Sequence, residues 1–564
     1  MKNFLKILNK RHKFEIQIFT LSSIVFLLLE TIGVGLLPVY LTLLDDPSII
    51  ADKISFFENI KFDKNILIKL TIFLFLFFLF KNLYFFAHNI FESKLSKNLK
   101  FYLSKELLKI YLKKNYLYHL DNNPNILGRN VTSDINASVS YIRSTILIFR
   151  ETFQILFISV LLMYANLFVS VTVIFFISIS IISYYLLLRR KIKNLGIEAW
   201  YLRGEKSKII YQTLNSIVEV LIYKKISYLS SKFENTISKE YRSIFLIEII
   251  NKVPKLLLET LIVLLFCLFL IFSFYLNNDF YASLPTLALF TIAAVRIYPS
   301  FVNLILHKNA RVENKACISQ IIKHFNNADK NLNIQKFTDN LTWNTFSDKI
   351  EFRNVNFSYK NRNHLLKNIN FEIKKNSFVG IVGETGSGKS TLLNLILGLV
   401  NVTNGEILID KIDINKVKSQ WQDNVSYVPQ NTYLFDDTIK ENIVFGDEAN
   451  EEKILSILKD VELKNFIDNL PNKLNTIVGN EGKKISGGER QRIGIARALY
   501  KNKNILVLDE ITSNLDTKTE NKIMEIIKNL KSKKTIIMIS HSLNTINFCD
   551  KIFKLEDGKV SSQD

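Results

Sequence analysis

Gly383-Glu384-Thr385-Gly386-Ser387-Gly388-Lys389-Ser390-Thr391 decides the fold. It fits G-x-x-x-x-G-K-[ST], a loop whose backbone N–H groups converge on phosphate oxygens. Residues 378–382, Phe-Val-Gly-Ile-Val, read as a buried strand, and residues 391–399 as a helix. Strand, loop and helix are the setting such a loop needs: glycines let the backbone curl, and a helix N-terminus favours anions. Lys389 is placed to reach the β- and γ-phosphates, and the Ser390 hydroxyl to hold Mg²⁺.

Outward from that loop, the chain has 564 residues, too many for a single core. Hydrophobic residues make up 48%, with 43 Phe and few Gly or Pro, which excludes a disordered chain. Residues 1–305 carry long runs nearly free of charge, and the remainder reads as a soluble α/β domain. The net charge of +21 raises nucleic-acid binding as a question. The Lys and Arg are diffuse and flank apolar runs, and no reader motif occurs, so no nucleic-acid partner is expected. Cys267, Cys317 and Cys549 lie far apart without a C-x-x-C, which points to neither zinc nor a disulfide framework.

A membrane-spanning helix needs about 20 apolar residues. Residues 16–44, 66–90, 146–164, 168–188, 256–276 and 284–306 qualify, an expectation of six spans. The first is longer than a signal h-region and lacks a small-residue cleavage site, so it is expected to be retained. Segments 45–65 and 277–282 are short and rather acidic, whereas 92–145 and 189–255 are long and basic. The positive-inside rule then places both termini and both long loops in the cytoplasm of a multi-pass cytoplasmic (inner) membrane protein. Each long loop reads as helix, interrupted near 121–125 and 212–219. Two dozen helical residues reach roughly 35 Å beyond a bilayer. Independent soluble hairpins are the alternative, although neither loop could bury much core. The expected division is a transmembrane domain over 1–325, a polar linker over 326–347 and a nucleotide-binding domain over 348–564.

Within that last domain, Tyr359 follows the strand 350–357 and could stack on adenine, or simply belong to the core. Gln430 follows the strand 425–429 at a loop, where it can meet Mg²⁺ and an attacking water, or lie idle on the surface. Ile505-Leu506-Val507-Leu508-Asp509-Glu510 is more specific. An apolar strand delivers two carboxylates, Asp509 for Mg²⁺ and Glu510 to orient or deprotonate water. His541 ends another apolar strand, 535–540, within reach of a γ-phosphate. Ile485-Ser486-Gly487-Gly488-Glu489 opens a helix and supplies a second anion site. One nucleotide rarely needs two such sites in one domain, so this one is expected to face the ATP of a second copy.

In order, Tyr359, residues 383–391, Gln430, residues 485–489, Asp509-Glu510, Ser513-Asn514-Leu515-Asp516 and His541 resemble the A-loop, Walker A, Q-loop, signature, Walker B, D-loop and H-switch of ABC transporter nucleotide-binding domains. The likeness covers residues 348–564. The six expected spans with long cytoplasmic extensions resemble the transmembrane half of an ABC exporter. The fold implied is an α-helical polytopic membrane domain followed by an α/β P-loop NTPase domain of ABC type. The resemblance also implies a homodimer with two ATP molecules, each between one P-loop and the other chain's signature. Coupling helices would lie near 118–125 and 212–223. Departures are small: Glu489 stands where Gln is commonest, Ile485 replaces Leu, and Asn480 occupies a usually acidic place in a segment resembling the exporter cross-linking loop. With Glu510 intact, both composite sites are expected to hydrolyse ATP.

The cargo is less legible. Glu30, Lys81, Arg150, Glu151, Glu259 and Arg296 fall within expected spans, where ionisable residues are functional candidates. They could pair as structural glue, or Lys81, Arg150 and Arg296 could line a basic cavity for an anionic head group. Glu30-Thr31-Ile32-Gly33, Leu36-Leu37-Pro38 and Arg296-Ile297-Tyr298-Pro299-Ser300 resemble, more loosely, bacterial lipid-linked oligosaccharide flippases of the ABC class. A drug, lipid or peptide exporter, a soluble ABC ATPase and an ATP-gated channel are the competing readings.

Overall fold

The computed structural model describes residues 2–45, 64–165, 167–275, 280–335, 343–359, 365–511, 516–531, 533–540 and 547–563, with 2–3, 37–39, 41–45, 64, 164–165, 168–169, 173, 269, 272–275, 280–296, 327–335 and 563 by backbone alone. They form two units: Met1–Lys114 with His119–Lys330, and Asn115–Tyr118 with Asn331–Asp564.

The first unit is helical. Its long helices are α1 (Lys10–Asp45), α2 (Lys64–Leu112), α3 (Ile135–Ala165), α4 (Leu167–Asn215), α5 (Ile226–Tyr275) and α6 (Phe280–Glu313), followed by α7 (Lys315–Gln335). Each expected span falls within one of α1–α6, apart from Leu276, which lies outside the described residues. Among the described residues, four helical stretches are long and apolar enough to cross a membrane. Within α2 only 6% of the most apolar window is buried. Phe75, Phe80 and Phe86 stand exposed there, a surface suited to lipid rather than water. Beyond residue 90 the same helix changes character. Leu95, Leu99, Leu103 and Leu107 recur every four residues and are all buried, the stripe of a helix packing on one side.

The helical breaks fall where the sequence marks them. Asn123 caps the short helix Pro124–Arg129 by accepting from the Asn125 N–H, with Pro124 in its first turn. Another short helix, Ile217–Ile222, follows α4. Polar pins cross the apolar interior: Tyr184 donates to the Ile250 carbonyl at 2.8 Å, and Asn309 donates to Tyr184 at 3.0 Å and to Asn251 at 2.8 Å. In an apolar surround such bonds tie α4, α5 and α6 together. The segment 326–347 begins inside α7, and residues 336–342 lie outside the described residues.

In the second unit, β1 (Lys349–Phe357), β2 (Leu366–Lys374), β4 (Asn404–Ile409) and β5 (Ile412–Asp413) form an antiparallel sheet in the order β2-β1-β4-β5. The other sheet contains β3 (Phe378–Gly383), β6 (Val425–Val428), β7 (Ile505–Asp509), β8 (Thr535–Ile539), β9 (Lys551–Glu556) and β10 (Lys559–Gln563), ordered β10-β9-β3-β8-β7-β6. All its pairings are parallel except that of β9 with β10. Ile381, Val507 and Ile537 on its strands are essentially inaccessible, as expected of a parallel sheet covered on both faces. Tyr116 and Leu117, grouped with this unit, pack against its core.

Candidate nucleotide site

In a parallel sheet the crevice beyond the strands' carboxyl ends is where ligands bind. Here β3 delivers the phosphate loop, β7 delivers Asp509 and Glu510, and β6 delivers Gln430. β8, which lies between β3 and β7, leads to His541, outside the described residues.

The loop 383–388 and helix α8 (Lys389–Ile396) form one device. Gly386 (φ +87°) and Gly388 (φ +108°) hold left-handed conformations that side chains disfavour. A Cβ on Gly386 would meet nothing within 4 Å, whereas one on Gly383 would come within 2.3 Å of the Leu555 carbonyl oxygen. The loop is therefore tight at its base and open at its crest. Lys389 is buried and donates to the Gly383 and Glu384 carbonyls at 2.7 and 2.8 Å. Burial lowers its pKa, while Glu510 and Asp509 pull it back up. Ser387 Oγ is buried without a hydrogen-bond partner, and the first N–H groups of α8 have none within the helix. Unspent donors, an open crest and a cation fit the phosphates of a nucleotide. Ser390 is exposed at the helix start, and Thr391 is buried.

Across the crevice, Asp509 is half-buried and its carboxyl is held above the usual range, first by burial and then by Glu510; Tyr427 and Lys389 oppose the shift. Two adjoining carboxylates, one of them disfavoured in its charged form, suit a divalent cation such as Mg²⁺. Glu510 adopts a left-handed backbone (φ +47°), a strained geometry for a non-glycine residue. Its N–H donates to the Ile539 carbonyl at 3.0 Å, which anchors it to β8. Gln430 Nε2 donates to Glu510 Oε2 at 2.6 Å. Thus Gln430 and Glu510, read separately from sequence, are brought into contact.

Two further participants had no assigned role in the sequence. The Tyr427 hydroxyl donates to Asp509 Oδ2 at 3.3 Å, and Gln491 Nε2 donates to the Glu510 carbonyl at 3.4 Å. Tyr427 pairs with Val507 across β6 and β7, so the period of two puts it on the same sheet face as Asp509. Strand adjacency would have revealed it.

The signature residues sit at the start of α9 (Gly487–Lys501). Ser486 Oγ accepts the Glu489 N–H at 3.2 Å, and Glu489 Oε2 accepts the Ser486 N–H at 2.8 Å, a reciprocal capping box. Gly487 and Gly488 follow the cap, and a Cβ on Gly487 would meet nothing within 4 Å. Tyr359 stacks edge-on to Phe357 at 4.9 Å, at the margin of the core. Asp516 caps the helix Thr517–Leu530 by accepting the Thr519 N–H at 3.0 Å; residues 512–515 lie outside the described residues.

Of the candidates for cargo, Lys81 Nζ lies 2.9 Å from Glu30 Oε2 with both side chains nearly inaccessible, and Arg150 lies 2.8 Å from Glu151. Both basic residues therefore have acidic partners, the pairing alternative of the sequence reading. The Arg296 side chain lies outside the described residues.

Residues 366–513 match the family model described as ABC transporter. The chain is 40% identical over 220 residues to a putative export ATP-binding/permease protein of Rickettsia bellii, covering 38% of each. It is 39% identical over 218 residues to an ATP-dependent lipid A-core flippase of Pasteurella multocida, again 38% of each, and 43% identical over 216 residues to one from Syntrophus aciditrophicus, covering 38% of this chain and 36% of that protein. The matched stretches thus span less than two-fifths of these relatives. A solved bacterial Atm1-family ABC exporter with ATP bound superposes with a TM-score of 0.80, covering 97% of this chain and 94% of the other at 21% identity. The second unit is thus a nucleotide-binding domain of ABC-transporter type, and the chain as a whole has the ABC exporter fold.

Proposed function

We propose that this chain is one half of an ATP-driven exporter or flippase. It would carry an amphipathic substrate, a lipid-linked oligosaccharide, from the cytoplasmic to the outer side of the inner membrane. The observation that carries the reading is the convergence of Lys389, Asp509, Glu510 and Gln430 at the carboxyl ends of β3, β7 and β6. Lys389 and the loop amides would hold the nucleotide phosphates, Tyr359 the adenine, and Asp509 with Ser390 the metal. Mg²⁺, when bound, neutralises charge developing on the transferred phosphoryl group. Glu510, steadied by Gln430, would take the proton of the attacking water, and His541 would contact the γ-phosphate. Ser486, Gly487, Gly488 and Glu489 would close on the ATP of a second copy, beside Asp516.

A drug, lipid or peptide exporter is the second reading, favoured by one observation: the acidic partners of Lys81 and Arg150 reduce the charge available to an anionic head group. ATPase activity of the full chain in lipid, with and without polyprenyl-pyrophosphate-linked sugars, separates the two. Stimulation by those sugars that is lost in Arg296→Ala supports the first; stimulation by drugs or peptides alone overturns it. Undiminished turnover in Lys389→Ala would overturn both.

A further inference from the structure

Helix α2 carries two concavities, and they lie on one side of it. The first is a shallow, open apolar groove between side chains of α2 alone, Phe75, Phe78, Leu79, Asn82 and Leu83. The second, about 440 Å³, is lined by Ser93, Ser96, Lys97 and Lys100 of α2, with Glu92 and, from α3, Arg143. Phe75 and Ser93, Phe78 and Ser96, Leu79 and Lys97, and Asn82 and Lys100 are each separated by the same interval, about 18 residues, or five turns of 3.6. Groove and pocket therefore share one face, with centres about 27 Å apart along the helix. Phe86 and Ile90 are exposed in the interval.

The expected span 66–90 puts the groove near the middle of the bilayer and the pocket just past its cytoplasmic edge. Half a bilayer with its head groups is about 20–22 Å thick, and spanning helices tilt by about 20°. At that tilt the interval is about 25 Å along the bilayer normal, and Lys97 and Lys100, whose long stems lean back toward the membrane end of α2, bring their ammonium groups within the reach of one leaflet's lipid. The pocket supplies three cations against one carboxylate, Glu92, which Arg143 contacts, and two hydroxyls to complete a phosphate's hydrogen bonds. Its volume, about 440 Å³, accommodates a phosphate with a small head group.

We infer that this face of α2 binds one resident anionic phospholipid of the cytoplasmic leaflet, its phosphate on Lys97, Lys100 and Arg143 and its acyl chain in the groove at Phe75 and Leu79. Basic pockets at the cytoplasmic ends of membrane helices recognise anionic head groups by this chemistry. The inference rests on the reading of α2 as membrane-crossing and is independent of the cargo.

The test is native mass spectrometry of the detergent-purified full chain titrated with phosphatidylglycerol or phosphatidylcholine. The Lys97→Ala/Lys100→Ala variant should weaken phosphatidylglycerol binding by about thirtyfold and leave phosphatidylcholine unchanged. Phe75→Asn should weaken both lipids. Equal phosphatidylglycerol affinity in the double variant and the parent would overturn the site. Competition by glycerol phosphate or pyrophosphate as strong as that by the lipid would assign it to a soluble anion and overturn the lipid. Loss of dimer in the variants with lipid binding intact would give the face to a second copy, with the same consequence. Release of the chain from membranes by alkaline carbonate would remove the spanning reading, and the site with it.

Discussion

Gly494→Ala tests how the signature helix is seated against the loop that carries Gln430. Gly494 is buried in α9, and a Cβ there would lie 2.3 Å from Thr432 Oγ1, 2.8 Å from its Cγ2 and 3.1 Å from its Cβ. Rotating χ1 cannot clear the contact, because two of the three positions on the Thr432 Cβ face Gly494 and only one substituent is hydrogen. At least one heavy atom stays too close, so α9 or the loop must move. Overpacking of this kind costs about 1–3 kcal/mol, and removing a helical glycine returns about 1 kcal/mol. The single substitution should therefore shift stability by between nothing and about 2 kcal/mol downward. Coupling is the cleaner measure. Thr432 is buried and its hydroxyl has no partner, so Thr432→Ala alone should cost little while making room for the new methyl group. A double-mutant cycle on thermal midpoints of the purified chain should show about 1–2 kcal/mol of coupling, or roughly 2–8 °C for a unit of this size. Because Thr432 is two residues beyond Gln430, a displacement of about 1 Å should also lower ATPase activity at least tenfold, with recovery in the double variant. A Gly494→Ala chain that is more stable by the full helix-propensity gain, with zero coupling to Thr432 and unchanged turnover, would refute the reasoning.

Glu510→Gln should lower ATP turnover by about 10²–10⁴-fold, the usual contribution of a general base, while fluorescent-nucleotide binding is retained. Asp509→Asn should raise the metal-free thermal midpoint at neutral pH while abolishing Mg²⁺-dependent turnover, since burial and Glu510 disfavour the charged carboxylate. An acid whose folded pKa is raised takes up protons on folding. Metal-free stability of the parent should therefore rise as pH falls through the window just above the ordinary Asp value, and Asp509→Asn should remove that slope. Lys81→Met should destabilise the detergent-purified chain by about 3–5 kcal/mol by leaving the buried Glu30 carboxylate without its ammonium, and Glu30→Met/Lys81→Met should recover most of it. A single variant as stable as the parent would show that Glu30 does not depend on Lys81.

What was legible in the sequence was local. A run of apolar residues ending in Gly383, or in Asp509-Glu510, states both the strand and the chemistry at its end, because the parallel sheet aligns such ends in one crevice. Asn123-Pro124 likewise announces a helix start at the place where the structure has one. Apolar content marked the membrane segments but not the helices, because the extension of α2 to Leu112 is written in a different code, leucines every four residues facing a partner. Contacts between distant positions were illegible. Tyr427 gains its role only when β6 lies beside β7, and the partner of Lys81 is 51 residues away on another helix.

Glu489 is a third case, in which the sequence shows the departure but not its physics. The signature departs from its commonest form there, and position alone gives no reason why an acid should serve. The structure supplies one: Glu489 is the third residue of α9, and what that place requires is an oxygen that can accept the Ser486 N–H. A glutamine carbonyl and a glutamate carboxylate both provide it, and the carboxylate gains from the positive end of the helix as well. The motif tolerates the exchange because the helix start constrains an acceptor's position and leaves its charge free.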